Sequence, residues 1–352
     1  MNPSECFWRG RRVLLTGHTG FKGAWAAVWL NRLGARVTGL SLAPDTEPNL
    51  WAKLGSDLID AEIIGDIRDP GTVAGAVERA QPSIVLHMAA QSLVRRSYAQ
   101  PVETFATNLM GTVHVLEALR AAQGIDAALI ITTDKVYSNN DQGRDFVEDD
   151  PLGGHDPYSA SKATAEIATA SYASSFFDAR GVRIATARAG NVIGGGDWSE
   201  DRLIPDVWRA ARQDKAVSLR NPDATRPWQH VLEPLAGYFL YLEALAQRKD
   251  VPKSLNFGPQ AGTSATVAQV AKTMADALGA PNAWKPDEAP SPPEMKLLSL
   301  DPSSAIESLG WRPRLSCEEA VEWSARWYAD HDATGDPLFL CHAQIEAYEA
   351  YT

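Results

Sequence analysis

The sequence of 352 residues is short of cysteine and of positive charge. Its three cysteines, Cys6, Cys317 and Cys341, are an odd number without CxxC spacing, which argues against a disulfide framework and a zinc site and fits a reducing cytoplasm. The 33 Lys and Arg residues against 44 Asp and Glu residues give a net charge of −11, which argues against a nucleic-acid or anionic-membrane binder. Any anionic ligand must therefore be held by a local site.

Long apolar runs are also missing. No run approaches the roughly 18 residues that span a bilayer, and the N-terminal MNPSECFWRGRR lacks the apolar core of a signal peptide. We therefore expect a cytoplasmic protein without a membrane anchor. A hydrophobic share of 45% and a charged share of 22% are typical of a globular protein, and the length allows two or three folding units.

Short runs rich in Val, Ile and Leu alternate with longer amphipathic stretches in the first half of the chain. This pattern is typical of parallel strands joined by helices. It predicts an α/β fold, a Rossmann-type doubly wound parallel sheet with helices on both faces. The predicted strands are Arg12–Gly17, Arg36–Ser41, Ala61–Asp66, Ser83–Ala89, Ala128–Asp134 and Arg183–Ala189.

After about Gly190 the sequence becomes rich in Gly, Pro and charge, which predicts a smaller C-terminal substrate-binding domain. An apolar helix, Glu233–Gln247, and a short strand, Ser254–Gly258, are expected to return to the sheet. The Rossmann domain is therefore predicted to comprise 1–190 and about 232–258, and the second domain 191–231 and 259–352. The Pro-rich stretch Pro286–Pro293 is interpreted as a surface loop.

The first predicted strand ends in TGHTGFKG, where strand turns into helix. Glycines at three-residue spacing allow a sharp turn and let backbone N–H groups approach a diphosphate at the helix N-terminus. The alternative is a tight turn without a ligand. The residues predicted to bind a dinucleotide here are Thr16, Gly17, Thr19, Gly20, Phe21, Lys22 and Gly23.

The second predicted strand ends at Ser41, where a ribose-binding acid would be expected, and no Arg follows directly to hold a 2′-phosphate. We predict NAD, with NADP the less favoured cofactor. Asp66, followed by Ile67, would place a carboxylate near the adenine amino group, with a strand-end cap as the alternative. Small residues after the fourth strand would let the cofactor approach the backbone at Ala89, Ala90 and Gln91.

Tyr158 and Lys162 in PYSASKA are four residues apart, so the phenol and the ammonium share one helix face. A phenol is a poor base near neutral pH, and a neighbouring cation stabilises its ionised form. The pair follows a strand that ends in TTDK, and the carboxyl ends of parallel strands line the ligand crevice. This position favours catalysis over chance spacing.

The motifs TGHTGFKG, HMAAQS, NLMGT, TTDKVY, YSASK and RAGNVIGGGDW occur in that order along nearly the whole chain. In combination they resemble the extended short-chain dehydrogenase/reductase family of sugar-nucleotide-modifying enzymes. The resemblance implies that Tyr158 takes the proton from the sugar 4-hydroxyl, that Thr133 bonds the same oxygen and that Lys162 holds the cofactor ribose. It also implies a positioning role for Asn108 and a homodimer through the helices around Asn108 and Tyr158.

The residues after Thr133 indicate the reaction type. Asp134 stands where related dehydratases place the acid for C6, and Lys135 stands where a Glu base is found in the dTDP-glucose enzymes. A structural partner for Asp134 or for a phosphate is the alternative role of Lys135. Several motifs, above all RNPDATRPWQHVLEPL, are most similar to family members that dehydrate CDP-glucose. The alternatives are a 4-epimerase, a dehydratase of another nucleotide-hexose and, more distantly, a non-catalytic dinucleotide sensor.

The substrate side is interpreted from the same resemblance. Asn191 stands where the family contacts the substrate phosphate, and Arg226 stands in the segment whose arginine binds the diphosphate. The loop that follows Asn191 offers the carboxylate of Asp197, the flat ring of Trp198 and the positive charge of Arg202, which together would suit a nucleotide. No histidine has metal-ligand spacing, so no metal is expected. The residues predicted to bind the sugar nucleotide are Asn191, Gly195, Asp197, Trp198, Arg202, Arg220 and Arg226.

Overall fold

The computed structural model describes residues 1–139, 143–219, 221–259, 265–286 and 298–351. The predicted arginine Arg220 and the Pro-rich stretch beyond Pro286 lie outside the described residues. The strands are β1 (Arg12–Thr16), β2 (Arg36–Ser41), β3 (Ala61–Ile64), β4 (Ile84–His87), β5 (Ala127–Ile131), β6 (Arg183–Ala189), β7 (Val192–Ile193), β8 (Val217–Leu219), β9 (Thr225–Arg226), β10 (Gln229–His230), β11 (Ser254–Phe257), β12 (Ala265–Thr266) and β13 (Trp284–Pro286).

The helices begin where the sequence offers caps. Side chains of Asp69, Asp156 and Ser316 accept hydrogen bonds from the first-turn N–H groups of three of them. The helices are α1 (Glu5–Trp8), α2 (Phe21–Arg32), α3 (Leu50–Leu54), α4 (Pro70–Ala80), α5 (Val94–Ala99), α6 (Pro101–Phe105), α7 (Gly111–Ala121), α8 (Pro157–Tyr172), α9 (Leu203–Arg212), α10 (Leu232–Ala246), α11 (Val267–Ala277), α12 (Ser303–Leu309), α13 (Cys317–Thr334) and α14 (Pro337–Ala350).

Seven strands form one parallel sheet in the order β11-β6-β5-β4-β1-β2-β3. The six predicted strands and the returning strand are all present, and the predicted α/β Rossmann-type class is confirmed. Several predicted strands run too far, since β4 ends at His87 and β5 ends at Ile131. The residues just beyond those ends form the loops at the carboxyl edge of the sheet, where a ligand crevice is expected.

Two hydrophobic clusters cover the two faces of the sheet. Val13 and Leu15 point into one cluster and Leu14 into the other, as the period of two along a strand requires. The first cluster contains α2, α10 and α13, and the second contains α4 and α7. Trp25 and Trp29 are fully buried in the first cluster. Three other tryptophans, Trp208, Trp284 and Trp323, are only partly buried against it.

Helix α10 is buried on all sides, which is why its sequence lacks a polar face. Both carboxylate oxygens of its buried Glu233 have hydrogen-bond partners. Oε1 accepts from the N–H groups of Arg314 and Leu315, and Oε2 accepts from the hydroxyl of Tyr348. Cys6, Cys317 and Cys341 are all free thiols. Among the described residues, no helix has the length and apolar character to cross a membrane.

Candidate functional site

The turn from β1 into α2 requires glycine. Gly17 has φ +81°, and a Cβ there would lie 2.8 Å from the backbone N of Ala89. A Cβ on Gly23 would lie 2.0 Å from the carbonyl oxygen of Gly17. No side chain caps α2 at Gly20, so the first N–H groups of this helix are available to an anion. The turn therefore fits the diphosphate of a dinucleotide.

The end of β2 carries hydroxyl groups in place of an acid. The Thr19 hydroxyl donates to the carbonyl of Leu42 (2.9 Å) and therefore accepts from the hydroxyl of Ser41 (2.7 Å). Asp66 accepts from the backbone N–H and from Nε of Arg68, both at 2.8 Å, and these bonds lower the pKa of its carboxyl. Ile67 is buried. The contacts of these residues with adenosine stay predictions.

A chain of hydrogen bonds links the glycine turn to the helices on the other side of β4. Thr16 Oγ1 accepts from the N–H groups of Met88 and Ala89, so its single proton is donated to Nδ1 of His87 (2.7 Å). Nε2 of His87 then carries the ring proton and donates to Thr112 Oγ1 (3.1 Å). Burial lowers the pKa of His87 to about 3, which keeps the ring neutral.

The free energy of unfolding is expected to fall as the pH drops below about 6.5. The folded-state pKa of His87 is about 3 against an ordinary value of 6.5, so the unfolded chain binds the proton first and is favoured as the pH falls between those values. At about pH 5 this one group costs about 2 kcal/mol. Denaturant unfolding measured across this pH range should show a shallower dependence for His87→Gln than for wild type or the control His155→Gln. An unchanged slope for His87→Gln would contradict this account.

Asn108 joins the loop after β4 to α8. Its Oδ1 accepts from the N–H of Gln91 (2.8 Å), and its Nδ2 donates to the carbonyl of Gln91 (3.0 Å) and to Ser161 Oγ (2.9 Å). Ser161 in turn donates to the carbonyl of Tyr158 (2.7 Å). This geometry suits a positioning residue. Ser161 was not predicted from the sequence, although its place inside YSASK was a usable signal.

Tyr158 and Lys162 lie on the first turns of α8, which begins at Pro157 behind the cap of Asp156. Burial raises the pKa of Tyr158 to about 12, while a hydrogen bond with Thr133 and the charge of Arg202 oppose the shift. The sequence predicted that Lys162 would supply this stabilising charge. Its Nζ instead donates to the carbonyl of Ile131 (2.9 Å), and burial lowers the pKa of Lys162 to about 8.

Asp134 and Lys135 form an ion pair beside Thr133. Asp134 Oδ1 accepts from Thr133 Oγ1 (2.9 Å) and from Lys135 Nζ (3.1 Å), and the side chain of Asp134 is 1% exposed. Lys135 Nζ also lies 3.5 Å from Asn191 Oδ1, which brings the predicted phosphate-binding residue to the same place. The ion pair matches the structural alternative for Lys135. Its role as the C5 base stays a prediction.

Lys22 extends from the glycine turn towards this group. Its Nζ lies 5.6 Å from the ring centroid of Tyr238. Burial lowers the pKa of Lys22 to about 7, the positive charges of Arg202 and Lys162 act in the same direction, and the charge of Asp134 opposes them. The sequence placed Lys22 only in the dinucleotide turn, whereas the structure also brings it close to the catalytic candidates.

The loop that was predicted to hold the nucleotide is largely built into the core. Gly195 accepts from Nε1 of Trp25 (2.9 Å), and a Cβ on Gly195 would lie 2.0 Å from Trp327. Asp197 is buried, with Oδ1 bonded to the N–H of Ser199 (3.0 Å). These contacts give both predicted residues a structural role. Nothing in the described residues tests whether they also reach a substrate.

Trp198 was predicted to offer a stacking face to a base, but in the structure its ring is packed among other aromatic side chains, and its contact with a nucleotide stays a prediction. The ring is 4% exposed and meets four other aromatic side chains at centroid distances of 5.6 to 6.3 Å. Those partners come from α9 and α13, and no local pattern in the sequence predicts that these helices pack against this loop. They are Trp208, Trp327, Tyr328 and His331.

Two of the predicted arginines are described. Arg202 donates to Ser92 Oγ (3.3 Å), and its charge acts on Tyr158 and Lys22, so it lies at the site. Arg226 is buried, and its Nη1 donates to the carbonyl of Thr225 (2.9 Å). No cluster of three or more potential metal ligands occurs in the described part of the chain.

The parallel sheet, the glycine turn and the tyrosine–lysine helix define a short-chain dehydrogenase/reductase. The chain belongs to the GDP-mannose 4,6-dehydratase family, whose sequence model matches residues 14–323. The resemblance to the extended branch of these enzymes is thereby confirmed.

Individual enzymes and a solved structure are also similar to this chain along most of its length. The chain is 42% identical to the CDP-glucose 4,6-dehydratase of Salmonella typhimurium over 98% of both sequences. It is 26% identical to a dTDP-glucose 4,6-dehydratase of Xanthomonas campestris, covering 90% of this chain and 92% of that one. Among solved structures, the dTDP-glucose 4,6-dehydratase of Streptomyces venezuelae with NAD bound has a TM-score of 0.78 at 25% identity, covering 93% of this chain and 99% of that chain.

Proposed function

We propose that the chain is a CDP-glucose 4,6-dehydratase that converts CDP-glucose to CDP-4-keto-6-deoxyglucose and water. The observation that carries the proposal is the 42% identity to an enzyme of that name along 98% of both chains. The geometry supports it, because a carboxyl group, Asp134, lies beside Thr133 next to the redox pair Tyr158 and Lys162. A dehydratase needs that acid for the departing hydroxyl, whereas an epimerase does not.

We propose NAD as the cofactor, which when bound accepts a hydride from C4 of the hexose and later returns it to C6. The glycine turn at Gly17 and the uncapped start of α2 would hold its diphosphate. Ser41 ends β2 without a following arginine for a 2′-phosphate, which favours NAD over NADP. Family members with bound NAD support the same choice.

In the first step, Tyr158 as phenolate takes the proton of the sugar 4-hydroxyl, and Thr133 holds the same oxygen. Because burial raises the pKa of Tyr158 to about 12, the phenolate depends on nearby positive charge, which Arg202 supplies here. Lys162, whose amine donates to the carbonyl of Ile131, would hold the cofactor ribose. In this step Thr133 binds the sugar oxygen, Lys162 orients the cofactor, and Tyr158 takes one proton.

The second step removes water from the 4-keto sugar. The amine of Lys135 takes the proton from C5, the C6–O bond breaks, and the hydroxyl leaves as water with a proton from Asp134. The step forms a C5=C6 double bond. A lysine acts as a base only as a neutral amine, so the ion pair of Lys135 with Asp134 requires a proton to pass to Asp134 first. Lys135 is then a neutral amine that can take a proton, and Asp134 is a carboxylic acid that can give one.

Replacing Lys135 with Met is expected to slow C5 deprotonation by about a hundredfold, since general base catalysis supplies gains of that order. Exchange of solvent deuterium into C5 of CDP-4-keto-6-deoxyglucose measures this step directly. The control is Lys272→Met, which removes an exposed lysine paired with Asp276 on α11. Exchange at the wild-type rate in Lys135→Met would leave Lys135 as a structural partner of Asp134 only.

We further propose a homodimer through α5 to α8. Val102 is 82% exposed, and other large apolar side chains on α5, just before α7, on α8 and in the turn after α8 are also exposed. A second copy would cover this surface, since monomers rarely leave such patches open. Val102→Glu should shift the sedimentation coefficient from that of a dimer to that of a monomer, and a wild-type monomer would refute the dimer. The other side chains are Tyr98, Met110, Ile167 and Phe176.

The test of the function is a parallel assay of CDP-, dTDP-, UDP- and GDP-glucose with NAD and with NADP. We expect turnover of CDP-glucose with NAD and a product that gives the alkali-induced chromophore of a ketosugar. Formation of an epimer without that chromophore would favour a 4-epimerase. Cofactor binding without turnover of any substrate would favour a dinucleotide sensor. A reducing cytoplasm, in which the three free thiols persist, is the expected setting.

A further inference from the structure

A buried ion pair adjoins residues 133–135, the catalytic segment. Glu166 on α8 and Arg188 on β6 are joined by two parallel hydrogen bonds, from Arg188 Nε to Oε1 (3.0 Å) and from Nη2 to Oε2 (2.9 Å). The carboxylate also accepts from two threonine hydroxyls, that of Thr132 at Oε1 (2.5 Å) and that of Thr186 at Oε2 (2.6 Å). Each carboxylate oxygen of Glu166 therefore has one bond from the arginine and one from a threonine, which fills its acceptor sites.

The two members of this ion pair bind on opposite sides of the catalytic segment. Glu166 accepts from Thr132, the residue directly before the segment. Arg188 uses its remaining Nη1 to donate to the hydroxyl of Tyr137 (2.7 Å), which lies two residues beyond the end of the segment. The position of the catalytic segment against α8 and β6 is therefore fixed at both of its ends.

Glu166 also continues the catalytic face of α8. Tyr158, Lys162 and Glu166 are spaced by four residues, so they lie on one side of the helix. Lys162 donates to the carbonyl of Ile131, and Glu166 accepts from the next residue, Thr132. These two contacts hold the helix against consecutive residues at the end of β5, and the catalytic segment follows directly.

We propose that Glu166 and Arg188 are positioning residues for catalysis, which fix the catalytic segment against the tyrosine and lysine of α8. Stability alone is a weak reason for such a pair, because removing two charges from water costs about as much as their attraction contributes. A fully hydrogen-bonded network instead imposes one geometry on the groups that it holds. Through Thr132 the pair would set the position of Thr133, and through Tyr137 that of the acid and base that follow.

This inference rests on the proposed function, because it gives Thr133 a bond to the sugar 4-hydroxyl. Thr132→Val removes one hydroxyl and leaves the ion pair intact. In a single turnover of CDP-glucose by the full chain, followed by the absorbance of the reduced nicotinamide, we expect oxidation to slow by about tenfold, since a small misplacement of reacting groups costs up to about a hundredfold. The CDP-glucose concentration for the half-maximal rate should stay within about twofold of wild type, because no substrate contact is removed.

The matched control is Thr186→Val, which removes the other threonine hydroxyl from the same carboxylate but belongs to β6 and not to the strand that leads into the catalytic segment. We expect both valine variants to unfold at similarly lowered temperatures and only Thr132→Val to slow oxidation. Thr132→Ser keeps the hydroxyl and should restore the wild-type rate. A wild-type rate in Thr132→Val, equal slowing in Thr186→Val, or no rescue by serine would overturn the inference.

Oxidation of another nucleotide-hexose in place of CDP-glucose would refute the proposed substrate, and the same variants would then decide the inference on that sugar. Oxidation of none would overturn both. Should Thr132→Val fail to fold, Tyr137→Phe decides, since it removes the hydroxyl that Arg188 binds at the other end of the catalytic segment. This variant is expected to slow the decay of the reduced nicotinamide by about tenfold. Decay at the wild-type rate would overturn the inference.

Discussion

Tyr158→Phe is expected to lower the rate of C4 oxidation by about a thousandfold, the largest effect of any single substitution in the site. Phe keeps the ring packing of this 8%-exposed side chain but removes the oxygen that we propose takes the 4-hydroxyl proton. General acid–base groups supply rate gains of about 10² to 10⁴. Stopped-flow absorbance of the reduced nicotinamide after mixing with CDP-glucose measures this step alone.

The matched control for that substitution is Tyr172→Phe. Tyr172 lies at the end of the same helix, and its hydroxyl makes a long, exposed hydrogen bond of 3.4 Å to the carboxylate of Glu117. We expect the control to oxidise CDP-glucose at the wild-type rate. Oxidation by Tyr158→Phe within about tenfold of wild type would remove the phenol from the mechanism and leave another base to be found.

Asp134→Asn is expected to block loss of water while oxidation at C4 continues. The amide has nearly the same shape but cannot give a proton to the departing C6 hydroxyl, so elimination should slow by about a hundredfold or more. The enzyme should therefore accumulate reduced nicotinamide and the 4-keto hexose that still carries its 6-hydroxyl. Rapid quenching and mass spectrometry distinguish this species from the 6-deoxy product, which is lighter by one oxygen atom, and from CDP-glucose, which is heavier by two hydrogen atoms.

Asp178→Asn serves as the control for Asp134→Asn, because Asp178 is an exposed aspartate whose partner is Lys253. Its kinetics should be those of wild type. Release of the 6-deoxy product at an undiminished rate by Asp134→Asn would show that another group protonates the leaving hydroxyl. The phenotype also separates the roles of Asp134 and Tyr158, since only the tyrosine substitution stops the reaction before oxidation.

Local patterns in the sequence were sufficient to predict the sheet and the position of the catalytic helix. Most strands of the sheet are short buried runs, and consecutive residues such as Leu14 and Leu15 face opposite clusters, so the periodicity carries the information. The glycines of the first turn and the four-residue spacing of Tyr158 and Lys162 are equally local. The resemblance to a family added the roles of Thr133 and Asp134.

Features that depend on distant partners could not be predicted. Glu166 on α8 forms a buried ion pair with Arg188 and accepts from Thr186 Oγ1 (2.6 Å), and both of these partners come from β6, a separate element. Trp198 was expected at a ligand because nothing in its own loop reveals the aromatic cluster that buries it.

The charges that act on the pKa of Tyr158 also could not be predicted from the sequence. Helical spacing placed a lysine one turn away and suggested that it stabilises the phenolate. The fold instead gives the amine of Lys162 a backbone carbonyl as its partner and brings the charge of Arg202 to the phenol from a segment forty-four residues further along the sequence. Electrostatics of this kind depends on tertiary distances, which sequence spacing does not encode.

The most direct test is to supply CDP-glucose labelled with deuterium at C4 and to locate the label in the product by NMR. Internal transfer predicts that the deuterium is found in the new methyl group at C6 of CDP-4-keto-6-deoxyglucose. Label that remains at C4 of an epimerised sugar, or that is lost entirely to solvent, would contradict the account.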